Sequence, residues 1–200
     1  MSPSHSVDFF ERQFQRQVRE QELTLNPFEQ AALPWLQGRV LDYGCGLGQL
    51  SLAAARRGCE VLALDASATA IAHLRQVAQD EALAIDAHEA ELSDYRLSAD
   101  YDSVVCIGLL MFLDCDSALL QLAQLQQRLR PGGVLVLNVL VEGTSYLDMF
   151  DPQRHCLLTA QQLRERFAGW ALEQFELRDF PAPGDTVKSF VTLIARKPAA

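Results

Sequence analysis

Nine residues, Val40-Leu41-Asp42-Tyr43-Gly44-Cys45-Gly46-Leu47-Gly48, set glycines at alternate positions directly after a short apolar run. A glycine turn leading from a strand into a helix lets a ligand lie against bare backbone, with the helix amides pointing at it. The spacing separates two kinds of ligand. A pyrophosphate fingerprint needs G-x-G-x-x-G, but Gln49 stands at the last position and the glycines run G-x-G-x-G. Asp42 lies in the approach to the turn, where a carboxylate repels a pyrophosphate and attracts a cation.

S-adenosylmethionine meets that demand, because it carries a sulfonium, an ammonium and no phosphate. On this reading Asp42 draws the ammonium, directly or through water, while Gly44, Gly46 and Gly48 admit the ligand to the backbone. A second acid, Asp65, ends the apolar run "EVLALD". A carboxylate at that strand tip accepts hydrogen bonds from both ribose hydroxyls. Nicotinamide sites use the same device, so Asp65 speaks for a ribose without choosing one, and taken alone it also reads as a helix cap.

Alternating elements must hold these residues. "RVLDY", "CEVLALD", "LAIDAHEA", "YDSVVCIG" and "GVLVLNVLV" read as strands. "GQLSLAAARRG", "SATAIAHLRQVAQDE" and "DCDSALLQLAQLQQRLRPGG" read as helices, the second capped by Ser67 and the third stopped by Pro131-Gly132-Gly133. Such alternation predicts a parallel sheet covered by helices on both faces. "TAQQLRERFAGW" follows as a helix capped by Thr159. "ALEQFELRDF" and "TVKSFVTLIARK" are then two strands with no helix between, separated by a loop holding Pro181, Pro183 and Gly184. Upstream, Phe9, Phe10, Phe14 and Val18 form an apolar stripe at helical spacing, so residues 1–38 read as an N-terminal helical cap and 39–200 as the main domain.

Composition narrows the class. The chain has 200 residues, 49% hydrophobic and 22% charged, and a net charge of -9, which disfavours nucleic-acid backbones as partners. No apolar run is long enough to span a bilayer, and the N-terminal stretch lacks the pattern of a secretory leader, so neither a membrane nor an export route is expected and a cytoplasmic location is. The five cysteines contain no C-x-x-C pair and read as small buried thiols in a reducing compartment. The four histidines share no metal-ligand spacing, so no metal is expected. A homodimer stays open.

The stretches "VLDYGCGLGQLSLAAARRG", "VLALDAS", "EL" at 91–92, "YDSVVCIGLLMFL" and "LRPGGVLVL" together resemble class I S-adenosylmethionine-dependent methyltransferases. The resemblance implies a Rossmann-like α/β fold with a seven-stranded, mostly parallel sheet of order 3-2-1-4-5-7-6, its last strand antiparallel. It implies that Glu91 meets the adenine amino group and Leu92 packs on the ring. With these, the candidate cofactor-binding set is Asp42, Gly44, Cys45, Gly46, Gly48, Asp65, Ala66, Ser67, Glu91, Leu92, Cys106, Ile107 and Met111, and S-adenosylhomocysteine is the implied product. "LLMFLDCDSALLQLAQLQQRLRPGGVLVL", "FAGW" and "FVTLIARK" are similar to the tellurite-resistance (TehB-type) members, which act on tellurium or selenium oxyanions. Those members carry a His-Arg pair in the penultimate-strand region. Here "ELRDFPAPGDT" offers Arg178, no histidine, and the acids Asp179 and Asp185.

The acceptor site is expected beyond the fourth and fifth strands, bordered by Gly108, Leu109, Met111 and Phe112. "VEGTSYLDMFDPQRH" is long enough to act as a lid. Within it, Tyr146 can orient an acceptor, and Arg154 with His155 can receive an anionic one, His155 also serving as a base. Phe14 either covers the cofactor or packs in the core. Two other functions compete with a small-molecule methyltransferase: a non-catalytic protein that binds S-adenosylmethionine, and a nicotinamide-dependent oxidoreductase, against which Gln49 and Asp42 argue.

Overall fold

The computed structural model describes residues 5–199, so the first four residues of the expected N-terminal cap lie outside the described residues. Seven strands, β1 (Arg39–Tyr43), β2 (Glu60–Asp65), β3 (Ile85–Glu89), β4 (Tyr101–Ile107), β5 (Leu129–Leu140), β6 (Ala171–Ala182) and β7 (Thr186–Arg196), form one sheet. Its order is β3-β2-β1-β4-β5-β7-β6. β7 runs antiparallel to β5 and β6, and the remaining pairs are parallel, as expected from the sequence.

Among the described residues the helices are α1 (His5–Glu20), α2 (Pro27–Ala32), α3 (Gln49–Arg56), α4 (Ala68–Asp80), α5 (Cys115–Arg128) and α6 (Ala160–Arg166). The caps expected at Ser67 and Thr159 form, accepting from the backbone N–H of Ala70 (3.0 Å) and Gln162 (2.9 Å). Asn26 makes a capping box with Glu29 at the start of α2, and Asp114 caps α5 through the Ser117 N–H at 2.9 Å.

The central strands are apolar on both sides because both faces are covered. Leu41, Tyr43, Val104, Leu135 and Leu137 are buried in one layer, and Val40, Val61, Val105 and Val136 in the other. The order reverses between β1 and β4, opening a crevice beyond their carboxyl ends.

Three expectations need correction. Pro131-Gly132-Gly133 does not separate α5 from its strand: β5 already begins at Leu129, paired with Tyr101 through a register shift. Gly133 is needed there because a Cβ would come within 2.8 Å of the Asp102 carbonyl. Pro181 is not in a loop but lies in β6, paired with Val187 of β7, and β6 is an edge strand that tolerates a missing donor. Finally, the cysteines are not all free. Cys45, Cys59 and Cys106 are buried thiols, but Cys115 and Cys156 are joined in a disulfide across 41 residues. Spacing could not reveal it, because the pair meets only where the chain after β4 and the chain after β5 return to one place.

Candidate active site

The glycine turn after β1 is tied to the tip of β2. Gly44 and Cys45 donate their N–H groups to the Leu64 carbonyl at 2.8 and 3.0 Å. The Asp65 carboxylate then accepts from Gly46 N–H at 2.8 Å and from Ser67 N–H at 2.9 Å. Asp65 therefore locks two loops together as well as facing the crevice. Gly46 has φ 52°, and a Cβ there would sit 3.1 Å from the Phe14 ring, so the turn and α1 approach as closely as bare backbone permits.

Asp42 is 4% exposed at the base of this turn, accepting from the Ser51 hydroxyl at 2.6 Å. Burial pushes its carboxyl up to about 7; the Ser51 hydrogen bond opposes this, and the negative neighbours Glu29 and Asp65 add to it. Burial raises Glu29 and Asp65 as well, against the backbone hydrogen bonds that each accepts. Tyr43 points to the opposite side of β1, where its hydroxyl donates to the Leu92 carbonyl at 2.7 Å. Gln121 and Gln124 of α5 donate to the Ser93 and Tyr95 carbonyls at 3.0 and 2.9 Å, so the loop after β3 is held from below by three side chains.

Asp42, Glu29, Asp65 and the glycine turn, with Glu91 and Leu92, line one end of a cavity of about 500 Å³. Helix α1 roofs it. Glu11 accepts hydrogen bonds from the Ser67 and Thr69 hydroxyls at the start of α4. Burial alone would raise the Glu11 carboxyl, but these bonds and one from Gln15 outweigh it and hold the group below the usual range. Along the cavity an aromatic chain runs from Phe14 to Phe10 (6.0 Å) and Phe112 (5.0 Å), and continues behind the wall to Phe150 (5.0 Å) and His155 (5.2 Å). The far end is bounded by Asn138, Leu140, Tyr146, Lys188 and Phe190, with Phe28. The long segment after β5 is tied down here: Ser145 and Tyr146 donate to the Val187 carbonyl, Cys156 donates to the Met111 carbonyl at 3.0 Å, and the disulfide joins it to α5.

Residues 40–133 match a family described as a methyltransferase domain. Over that stretch the chain is similar to the class I S-adenosylmethionine-dependent methyltransferases. Among curated relatives, Hemagglutinin 1 of Eikenella corrodens is 29% identical over 170 residues, covering 80% of this chain and 55% of that protein. A probable S-adenosyl-L-methionine-dependent methyltransferase TehB of Haemophilus influenzae is 27% identical over 166 residues, covering 80% of this chain and 57% of that one. The chain thus spans little more than half the length of these relatives. The crystal structure of TehB from Haemophilus influenzae matches with a TM-score of 0.76 at 19% identity, over 96% of this chain and 67% of that one.

In this chain, Asp42, Gly44, Cys45, Gly46, Asp65, Ala66, Ser67, Glu91, Leu92, Ile107 and Met111 all line the cavity, as do Tyr146, Arg154 and Phe14. Four of the expected residues do not. Gly48 caps α3 in a left-handed conformation, and a Cβ there would lie 2.5 Å from Leu74, so it serves helix packing. Cys106 is fully buried on the core side of β4. His155 stacks on Phe150 outside the cavity, its Nδ1 3.0 Å from the Asp151 carbonyl. Arg178 lies on β6 and pairs with Glu176 at 2.6 Å. Lys188, Glu29, Phe28 and Asn138 were not anticipated. Lys188 and Asn138 sit in strands read for their apolar content, and Glu29 is one turn into a helix that gave no functional signal.

Proposed function

We propose that this methyltransferase transfers the methyl group of S-adenosylmethionine to a small-molecule acceptor. The observation that carries this reading is the division of the cavity. Carboxylates and bare glycine backbone gather at one end, with no basic side chain directed at a phosphate there. That donor set fits a ligand with an ammonium, a sulfonium and a ribose, and does not fit a pyrophosphate.

In this reading Asp42 and Glu29 face the ammonium, Asp65 takes the ribose hydroxyls, and Glu91 with Leu92 takes the adenine. S-adenosylmethionine supplies a methyl carbon that bonds to the acceptor atom as its bond to sulfur breaks, the electron pair leaving with sulfur as S-adenosylhomocysteine. The chain contributes placement and water exclusion. α1, Phe112 and the segment held by the disulfide close the cavity, and positioning of this kind is worth on the order of 7–11 kcal/mol. Tyr146 is placed to orient the acceptor. The likeness to TehB brings tellurite and selenite forward as acceptors, but no His-Arg pair faces the cavity, and Arg178 is engaged with Glu176.

Calorimetry tests the reading directly. S-adenosylmethionine and S-adenosylhomocysteine bind, NAD does not, and labelled methyl groups pass to an acceptor. Binding of NAD in place of both would overturn it. Tight cofactor binding without transfer to any of a broad range of acceptors would leave a non-catalytic binding protein instead.

A further inference from the structure

The acceptor end of the cavity has its own chemistry. Lys188 reaches it from β7, partly buried, with its Nζ 4.6 Å from the centre of the Tyr146 ring. Among the described residues no carboxylate forms an ion pair with it, whereas the other cation on the wall, the exposed Arg154, stands 3.9 Å from Asp114. A partly buried ammonium facing a cavity is stabilised by an anion, which regains the charge pairing lost with water.

The surroundings specify what kind of anion. Phe28 and Phe190 face the same end, their rings 5.0 Å apart, and Phe180 backs both at 5.8 Å. A bare hydrated oxyanion would leave these rings against water. An acceptor with an apolar body would cover them, gaining about 25 cal/mol per Å² of apolar surface removed from solvent. The amide of Asn138 is already turned to Thr192 at 2.9 Å, so the ammonium is the principal polar anchor at this end.

Resting on the methyltransferase reading, we infer that the acceptor is an organic anion with a flat apolar body, its carboxylate held by Lys188 beside Tyr146 and its ring packed against Phe28 and Phe190. Lys188 is thus a specificity-determining residue for the acceptor and takes no part in holding the cofactor.

The test uses the protein saturated with S-adenosylhomocysteine, titrated by calorimetry with 4-hydroxybenzoate and, separately, with the neutral 4-hydroxybenzamide. The carboxylate binds about tenfold or more tightly than the amide, the span of a charge-assisted hydrogen bond. Lys188→Met erases that preference, Lys188→Arg keeps most of it, and both variants retain the wild-type affinity for S-adenosylhomocysteine, which also reports that they fold. Equal binding of the two probes, binding of neither, tighter binding of selenite than of the carboxylate, or a loss in Lys188→Met of affinity for S-adenosylhomocysteine would each overturn the inference. The last result would assign Lys188 to the cofactor's own carboxylate. Failure of the wild-type protein to bind S-adenosylhomocysteine is a separate result, and it removes the methyltransferase reading together with this one.

Discussion

Asp42 and Asp65 differ in what their environments ask of them. Asp42 is buried with one hydrogen-bond donor, and its carboxyl is pushed up to about 7. In the cofactor-free protein its proton is retained over a window, about pH 4 to 7, where the unfolded chain has lost it. Its contribution to stability is therefore full below that window and is lost as pH rises through 7. A cation beside it lowers that pKa, so binding releases a proton. The dissociation constant for S-adenosylhomocysteine should fall by up to about tenfold per unit as pH rises toward 7 and level off above. Asp42→Asn should flatten the slope; a slope that survives it would remove Asp42 from the site. Asp65 instead accepts two backbone N–H groups from the loops it joins. Asp65→Ala should weaken cofactor binding by about 1–3 kcal/mol and also lower Tm, since two amides lose their partner. Wild-type affinity in that variant would refute the ribose assignment.

Two elements border the cavity and are held by different means. α1 is latched at its middle by Glu11 to Ser67 and Thr69, and its Phe14 lies over Gly46. Gly46→Val should abolish cofactor binding with the fold retained, because the added side chain strains a left-handed backbone and drives into Phe14; unchanged affinity would place the ligand elsewhere. The segment after β5 is held through Cys115–Cys156. On the loop-entropy account a crosslink of this length stabilises by about 4 kcal/mol, so Cys115→Ser or a thiol reductant should lower Tm measurably. The same treatment should weaken acceptor binding more than cofactor binding. The segment carries Tyr146, whereas Asp42 and Asp65 lie on β1 and β2.

At the scale of the whole molecule, ligand and fold share one equilibrium. A ligand that binds only the folded chain, at a hundred times its dissociation constant, stabilises by about 2.7 kcal/mol, or roughly 5–11 °C in Tm for a chain of this size. S-adenosylhomocysteine should produce that shift and NAD none.

Alternating apolar runs determined a mostly parallel sheet ending in two strands with no helix between, and the G-x-G-x-G turn with its two acids marked the strand end that carries the crevice, both from local periodicity or a short contiguous motif. The strand order 3-2-1-4-5-7-6 and the antiparallel last strand came instead from the family resemblance that those motifs carry. Only the tertiary structure decided which side chains share the cavity. Along β4 a one-residue step turns Cys106 into the core while Ile107 lines the cavity. Across β7 the fold brings Lys188 over Tyr146, 42 residues away in the chain, and the return of two loops joins Cys115 to Cys156. Such meetings depend on register and loop path, which the sequence near each residue does not encode.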